Sequence, residues 1–299
     1  MPRHDDAGRD DTAATLTRLL ERCRFPTSGT AVACAFSGGT DSTALLVLAR
    51  RAGLEVTAHH VDHRLRPESS DDARRARAIA DELGAAFVLH TIDVEPGSNV
   101  EARARAARRA ALPAGALTGH TADDQAETVV LRLMRGSGST GLSGITPDAT
   151  HPILALRRHE TELVCLTAGI EPVHDASNDR PDVWRNRVRA EVMPLLADIA
   201  GRDMTPILTR SADLLREESA YLDQMAATID PTDAIAIGRA AAVPARRALR
   251  HWLVEAGYPP DAAAIERVMA VARGDVIACE LPGGRRVERS NQRLRIVEP

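Results

Sequence analysis

Ser37-Gly38-Gly39-Thr40-Asp41-Ser42, entered from the apolar run 31–36 and followed by the apolar run 43–48, is the stretch that decides the fold. A short strand feeding a glycine pair and then a helix start aims backbone N–H groups and two hydroxyls at one point, where the helix dipole favours an anion. The glycines let the backbone come close to it. A Walker A site would end in Gly-Lys-Ser/Thr. This chain has no lysine, so all 38 of its basic residues are arginine, and the loop is a phosphate-binding turn of another kind. The bland alternative is a Gly-Gly turn with a Ser or Asp helix cap.

Around the loop, apolar β-rich runs alternate with amphipathic stretches, the βαβ pattern of a parallel sheet covered on both faces. Strands are expected over 30–36, 55–61, 86–92 and 116–119. Helices fit between them: Ser69 and Asp72 form a capping box before 73–83, Gly84 stops that helix, and Asn99 caps another running to 112. The fold class is α/β, a parallel-sheet Rossmann-like domain. Ligands in such sheets bind beyond the carboxyl ends of the strands, where 37–42, Asp62 and His120 all fall. Further along, 160–169 and 185–196 read as helical, 176–181 as a loop, and 205–227 as a charged helix with Leu208, Ala212, Leu215 and Ser219 on one face. Beyond Pro231, helices over 245–255 and 261–272 and short strands over 277–281 and 285–297, around Pro282-Gly283-Gly284, make a small α+β module. The expected organisation is an N-terminal arm and helix over 1–26, a catalytic domain over 27–200, a helical connector over 201–230 and a C-terminal domain over 231–299.

With 299 residues and 44% apolar content, the chain buries a real core in two domains. The N-terminus lacks an apolar signal region and no run approaches a membrane span, so a cytoplasmic location without membrane partners is expected. Cys23, Cys34, Cys165 and Cys279 form no Cys-x-x-Cys pair, which argues against a disulfide framework and against zinc or iron–sulfur sites. The net charge of −4 argues weakly against a nucleic-acid partner, but four aspartates in the first eleven residues contribute to it. RNA is not excluded.

A second motif, His120-Thr121-Ala122-Asp123-Asp124-Gln125-Ala126-Glu127-Thr128, follows the fourth expected strand and opens a helix with an Ala126, Val130, Leu133 seam. Asp124 and Glu127 are three apart and are expected as surface neighbours at the mouth of the crevice. Such a pair binds an ammonium group, holds a metal or takes a proton. The alternative is that the acids complement the helix N-terminus, with Thr121 and Asp124 as a capping box.

Four further segments join these two: His60-Val61-Asp62-His63-Arg64-Leu65-Arg66-Pro67, Leu133-Met134-Arg135-Gly136-Ser137-Gly138 with Gly141-Leu142, Asp175-Ala176-Ser177-Asn178, and Arg185-Asn186-Arg187-Val188-Arg189. In this order, over roughly 30–196, the set resembles the tRNA(Ile)-lysidine synthetase family of pyrophosphate-loop enzymes, in a short form. The resemblance implies that ATP adenylates the C2 oxygen of the wobble cytidine in a CAU-anticodon tRNA(Ile), and that the ε-amine of free L-lysine then displaces AMP. It implies ATP and Mg²⁺ as cofactors. The ATP site would be Ser37, Gly38, Gly39, Thr40, Asp41 and Ser42, with Asp41 on the metal side. Asp124 and Glu127 would recognise lysine, and one of them would help to deprotonate its ε-ammonium.

His120 would orient or polarise, against the alternative of a core histidine. Arg105 and Arg108 would reach phosphate or the lysine carboxylate, against the alternative of a solvated helix face. Arg185, Asn186, Arg187 and Arg189 would contact tRNA or the active site, and the Gly136–Gly141 stretch would be a closing loop or a simple helix stop. Arg285, Arg286, Arg289, Arg293 and Arg295 are a phosphate-contacting surface or a solvated strand face.

The chain departs from the family at Arg109, where an aromatic is usual, at Ala190, where histidine is frequent, and at His151, in place of an arginine before Pro152. A tRNA thiolase with the same loop is the competing enzyme reading, opposed by the absence of paired cysteines. A non-catalytic RNA-binding module would tolerate loss of the loop's Ser and Asp, and these are present. No obligate protein partner is expected.

Overall fold

The computed structural model describes residues 14–62, 64, 69–92, 100–173, 183–258 and 260–298, and for 69, 100–102, 104 and 105 the backbone alone. The chain divides into two compact units, Met1–Ala212 and Asp213–Pro299.

In the first unit, a helix over 14–20 (α1) precedes a parallel three-stranded sheet of β1 (Ala31–Ala35), β2 (Glu55–Asp62) and β3 (Ala86–Thr91), in the order β1-β2-β3. The crossovers are α2 (Thr40–Arg51) and α3 (Ser69–Glu82). Helix α2 buries eight consecutive residues, Ser42 to Ala49, because its sequence is apolar all round and it has protein on every side. Along β2, Val56, Ala58, His60 and Asp62 are buried in alternation, whereas β3 leaves Val88 and Leu89 exposed. Leu45, Leu46, Leu48, Leu54, Ile153, Leu156 and Val164 form the centre of the core. Burying each such side chain contributes about 1.5–3 kcal/mol relative to exposure.

The strand expected over 116–119 is reduced to one bridge. Leu117 pairs beside β1 through Ala35 N–H to Leu117 O and Leu117 N–H to Ala33 O, both 2.8 Å. The pairing stops because the chain turns at once into α5 (Ala122–Met134), and Gly119 passes against the start of α2. A Cβ on Gly119 would stand 2.7 Å from the Asp41 carbonyl oxygen. This close approach sets His120 and α5 beside the glycine loop.

Helix α4 (Val100–Ala111) agrees with the expected periodicity; its proposed cap Asn99 lies outside the described residues, as does the loop read over 176–181. The Ser69 side chain is likewise undescribed. The Gly136–Gly141 stretch is tied down. Gly136 takes the left-handed conformation (φ 73°) that ends α5, Ser139–Leu142 form one helical turn (α6), and Arg132 Nη1 donates to Gly141 O and Gly144 O at 2.7 and 2.8 Å. Of the two readings of Gly136, the helix stop is what forms. Helix α7 (Arg158–Ala168) starts two residues earlier than expected and ends on Gly169 (φ 72°).

The helix from Trp184 to Ala200 comprises α8 (Trp184–Arg187), a wider π turn at Val188–Val192 and α9 (Met193–Ala200). Pro194 lacks the N–H that would bond back into that turn.

Helix α10 (Thr205–Ala227) begins in the first unit and runs into the second, with Ala212 and Ser219 buried and Leu208 and Leu215 half-buried as their spacing requires. The second unit adds α11 (Ala234–Arg239), α12 (Ala242–Glu255), α13 (Ala262–Arg273) and an antiparallel sheet of β4 (Ala278–Glu280), β5 (Arg286–Ser290) and β6 (Arg293–Val297). Its core centres on Ile237, Leu249, Leu253, Val268, Val287 and Leu294. The short α11 was not foreseen; Asp233 caps it, accepting from Ile235 N and Ala236 N at 2.9 and 3.1 Å.

Four of the five C-terminal arginines have partners within this unit. Arg285 pairs with Glu298 (2.6 Å), Arg286 with Glu288 (3.1 Å) and Arg293 with Asp230 (2.5 Å), while Arg289 donates to Ala272 O (2.8 Å) and to Gln292.

Gly119→Ala should force the start of α2 to shift. The expected loss is about 1–3 kcal/mol of stability in urea-induced unfolding, and a variant as stable as the parent would show that this approach is looser than described.

Candidate active site

The glycine loop is built to present N–H groups. Gly38 adopts φ 86°, which an L side chain rarely takes, and a Cβ there would stand 3.0 Å from Val173 Cγ2. Its carbonyl accepts from Val173 N (2.9 Å) and Thr43 Oγ1 (3.0 Å), so the turn is held from behind. Gly39 is the N-cap of α2, and no side chain caps the helix. The first N–H groups of α2 thus have no intrahelical acceptor and carry the positive end of its dipole. Ser37 Oγ and Ser42 Oγ lie 3.1 Å apart across the loop mouth, and Ser42 Oγ also donates to Gly39 O at 2.9 Å.

Asp41, in the first turn of α2, points to the other half of the site. Its Oδ1 accepts from Thr161 Oγ1 (2.6 Å), and Arg158 Nε lies 3.7 Å from its Oδ2. Burial raises the Asp41 pKa, more than the Thr161 hydrogen bond and the guanidinium groups lower it.

Arg158 also reaches the two carboxylates of α5, with Nη2 3.2 Å from Asp124 Oδ1 and Nη1 3.1 Å from Glu127 Oε1. Arg185 adds contacts of 2.9 Å to Asp124 Oδ1 and 2.9 Å to Glu127 Oε2. Arg189 donates to Glu127 Oε1 (2.8 Å) and Oε2 (3.2 Å). Three carboxylates and three guanidinium groups form one cluster, with Arg158 joining the loop side to the α5 side.

Asp124 and Glu127 are therefore not the surface pair that helical spacing suggested. They are 7% and 1% exposed, because guanidinium partners at hydrogen-bond distance make it possible to bury the charges. The capping box considered as the alternative is also present: Asp124 Oδ2 accepts from Thr121 N (2.8 Å) while Oδ1 faces the arginines. Asp124 does both jobs with different oxygens. Burial pushes its pKa up, but Arg185, Arg158 and the Thr121 N–H outweigh that and hold it below the usual value.

His120 stands at the edge of this cluster, its Nδ1 2.8 Å from Thr118 Oγ1 and its ring 5.1 Å from that of His151. His60 is a core histidine bonded to Phe36 O at 2.9 Å, and its burial lowers its pKa.

Among the other expected residues, Arg185 and Arg189 are four apart and share the face that meets α5, whereas Arg187 lies on the opposite face and pairs with Glu191 at 2.8 Å. Asn186 is half-buried between them, Arg108 is on the exposed side of α4, and the Arg105 side chain lies outside the described residues.

Arg157, Arg158 and Thr161 were not anticipated. Arg157 grips Asp123 through two bonds of 3.0 Å and also bonds Asp203 (2.5 Å), and the Arg158 N–H donates to Asp123 at 2.8 Å. The available signal was an arginine pair at a helix start, where the dipole disfavours cations. Such a placement implies carboxylates opposite.

The PP-loop domain family matches residues 10–196. The tRNA(Ile)-lysidine synthase of Rhodococcus opacus is 42% identical over 242 residues, covering 76% of this chain and 74% of that protein. That of Nocardia farcinica is 41% identical over 250 residues, 78% of each. That of Salinispora tropica is 38% identical over 307 residues, 90% of each. Among solved structures, the U34-tRNA thiolase NcsA from Methanococcus maripaludis superposes with a TM-score of 0.51 over 70% of this chain and 80% of that one, at 15% identity, a likeness of fold.

A depressed carboxyl pKa contributes stability that is complete above the unfolded value and is lost as pH falls through the folded one. The stability gap between the parent and Asp124→Asn should therefore be full at pH 7 and shrink below about 3.8, the ordinary Asp value, in urea unfolding at a series of pH values. A gap independent of pH would show that Asp124 is not held ionised.

Proposed function

The chain belongs to the tRNA(Ile)-lysidine synthase family of PP-loop enzymes, ATP-dependent ligases that form lysidine at the tRNA wobble position, and from that premise we propose how its own residues carry the reaction. The observation that bears most weight is the Arg158 bridge, which joins the phosphate-binding half of the site at Asp41 to the carboxylate half at Asp124 and Glu127.

In the first half-reaction, the C2 oxygen of the wobble cytidine bonds to the α-phosphorus of ATP and pyrophosphate leaves. The uncapped α2 N-terminus, with the Ser37 and Ser42 hydroxyls, holds the departing charge. The base must leave the anticodon stack to reach this point, as RNA-modifying enzymes require.

Mg²⁺ fits here as a partner of ATP. Among the described residues no group of three or more His, Cys, Asp and Glu side chains forms a dedicated cage, and Asp41 offers one carboxylate at the loop. One or two carboxylates with substrate phosphates are a usual Mg²⁺ environment. The ion would add positive charge at the phosphates.

In the second half-reaction, the lysine ε-nitrogen bonds to C2, the C2–O bond breaks and AMP leaves. Lysine carries two ammonium groups, and Asp124 and Glu127 are the buried carboxylates that suit them. Arg158 also faces Asp41, so we assign Arg185 and Arg189 as the guanidinium groups that yield to the incoming ammonium. An ammonium is no nucleophile until it loses a proton. Asp124, held below the usual carboxylate range, is a weak base, so we assign the proton to His120, the imidazole whose charge acts on Asp124 at the edge of the cluster.

The cysteines do not favour the thiolation reading, because burial pushes the thiols of Cys23, Cys34 and Cys165 up to about 12 and also raises Cys279. Sulfur transfer needs thiolates.

AMP and pyrophosphate should accumulate only when the purified protein receives ATP, L-lysine and a CAU-anticodon tRNA(Ile) transcript together; equal turnover with a sulfur donor and no lysine would sink this reading. Asp124→Asn should raise the KM for lysine by about 10-fold or more, with the KM for ATP little changed. Unaltered lysine kinetics would leave Asp124 as a helix cap and structural anchor.

A further inference from the structure

Thr118 Oγ1 lies between two partners, the Thr150 carbonyl oxygen at 3.2 Å and His120 Nδ1 at 2.8 Å. A hydroxyl has one proton, and a carbonyl oxygen only accepts. If that proton went to Nδ1, two oxygens 3.2 Å apart would face each other with nothing between them. If it goes to Thr150 O, Nδ1 must carry its own proton and donate it to Oγ1. Only this second assignment makes both contacts hydrogen bonds.

The frame around Thr118 is fixed. Its backbone N–H donates to the same Thr150 carbonyl at 2.8 Å. The turn that presents this carbonyl is held by Asp148, whose Oδ1 accepts from Thr150 N (2.8 Å), Thr150 Oγ1 (2.5 Å) and His151 Nδ1 (2.9 Å). Since a carboxylate only accepts, His151 also carries its proton on Nδ1, and its ring lies against that of His120 at an interplanar angle of 46°.

We infer that Thr118 is a positioning residue that fixes His120 as the Nδ1-protonated tautomer, so that Nε2 is the nitrogen that accepts a proton. The partner of one imidazole nitrogen decides the role of the other. With Nδ1–H held by Thr118, Nε2 offers a lone pair. When it takes one proton from the ε-ammonium of lysine, the resulting imidazolium keeps its Nδ1–H bond to Oγ1, so the proton moves without rearrangement of the ring's support. This catalytic consequence rests on the role proposed above for His120; the tautomer itself does not.

The test is the ¹⁵N spectrum of the histidine rings at neutral pH, with His120→Gln used to assign the resonances. His120 Nδ1 should appear in the protonated range and Nε2 in the unprotonated range, and the reverse pattern overturns the inference. Thr118→Val should shift His120 toward mixed tautomers and lower kcat by about 10–100-fold with the KM for ATP and lysine roughly unchanged, whereas Thr118→Ser should restore both spectrum and kcat. A Thr118→Val protein with the parent's spectrum and kcat also overturns it. Full kcat in His120→Gln, with the Nδ1–H pattern intact in the parent, would support the tautomer and remove only the catalytic role of Nε2.

Discussion

Glu127 is almost completely buried, and it bears a charge that folding could not enclose without compensation. An isolated ionised carboxylate in a protein interior is very costly, whereas one with hydrogen-bonded guanidinium partners on both oxygens is tolerable. Arg158, Arg185 and Arg189 supply those partners from two separate stretches of chain. The start of α5, the start of α7 and the helix after 183 are thereby drawn to one point. Removing any one guanidinium changes the balance for both carboxylates, because Asp124 Oδ1 is shared by Arg158 and Arg185.

The same constraint links the cluster to the glycine loop. Thr161, one turn along α7 from Arg158, donates to Asp41, and Cys165, one turn further, is buried in the core. Helix α7 therefore carries the charge cluster on one end and anchors to hydrophobic packing on the other. Two helices at the site begin in opposite ways. Helix α5 opens with a capping box, in which Thr121 Oγ1 accepts from Asp124 N and Asp124 Oδ2 accepts from Thr121 N, while α2, behind Gly38 and Gly39, has no side-chain cap and so keeps its N-terminal field for an anion.

Much of this was legible in the chain because it depends on local pattern. The parallel strands, the glycine turn and the helix over 205–227 follow from periodicity and from residues with restricted or permissive backbones. The expected fourth strand shrank to Leu117 because pairing there is limited by the close passage of Gly119 over Asp41, which apolar composition does not encode. The Arg-x-Arg-x-Arg spacing showed Arg187 and its neighbours as equals. Helix geometry separates them, sending Arg185 and Arg189 to Glu127 and Arg187 to Glu191. Arg158 carried only an indirect mark, a cation at a helix start, since its partners lie 31 residues or more away in sequence.

By itself, the sequence determined that a phosphate-binding turn sits at the end of a parallel strand, that a second acidic motif follows on the same side of the sheet, and that the motifs together match one family. These are properties of short stretches, in which turn chemistry and side-chain period act between near neighbours. Only the tertiary structure decided that Asp124 and Glu127 are buried rather than exposed, that Arg158 ties them to Asp41, and that Thr118 stands between Thr150 and His120. The charge and proton state of a buried group depend on which partners folding brings within about 3 Å, and those partners come from distant parts of the chain.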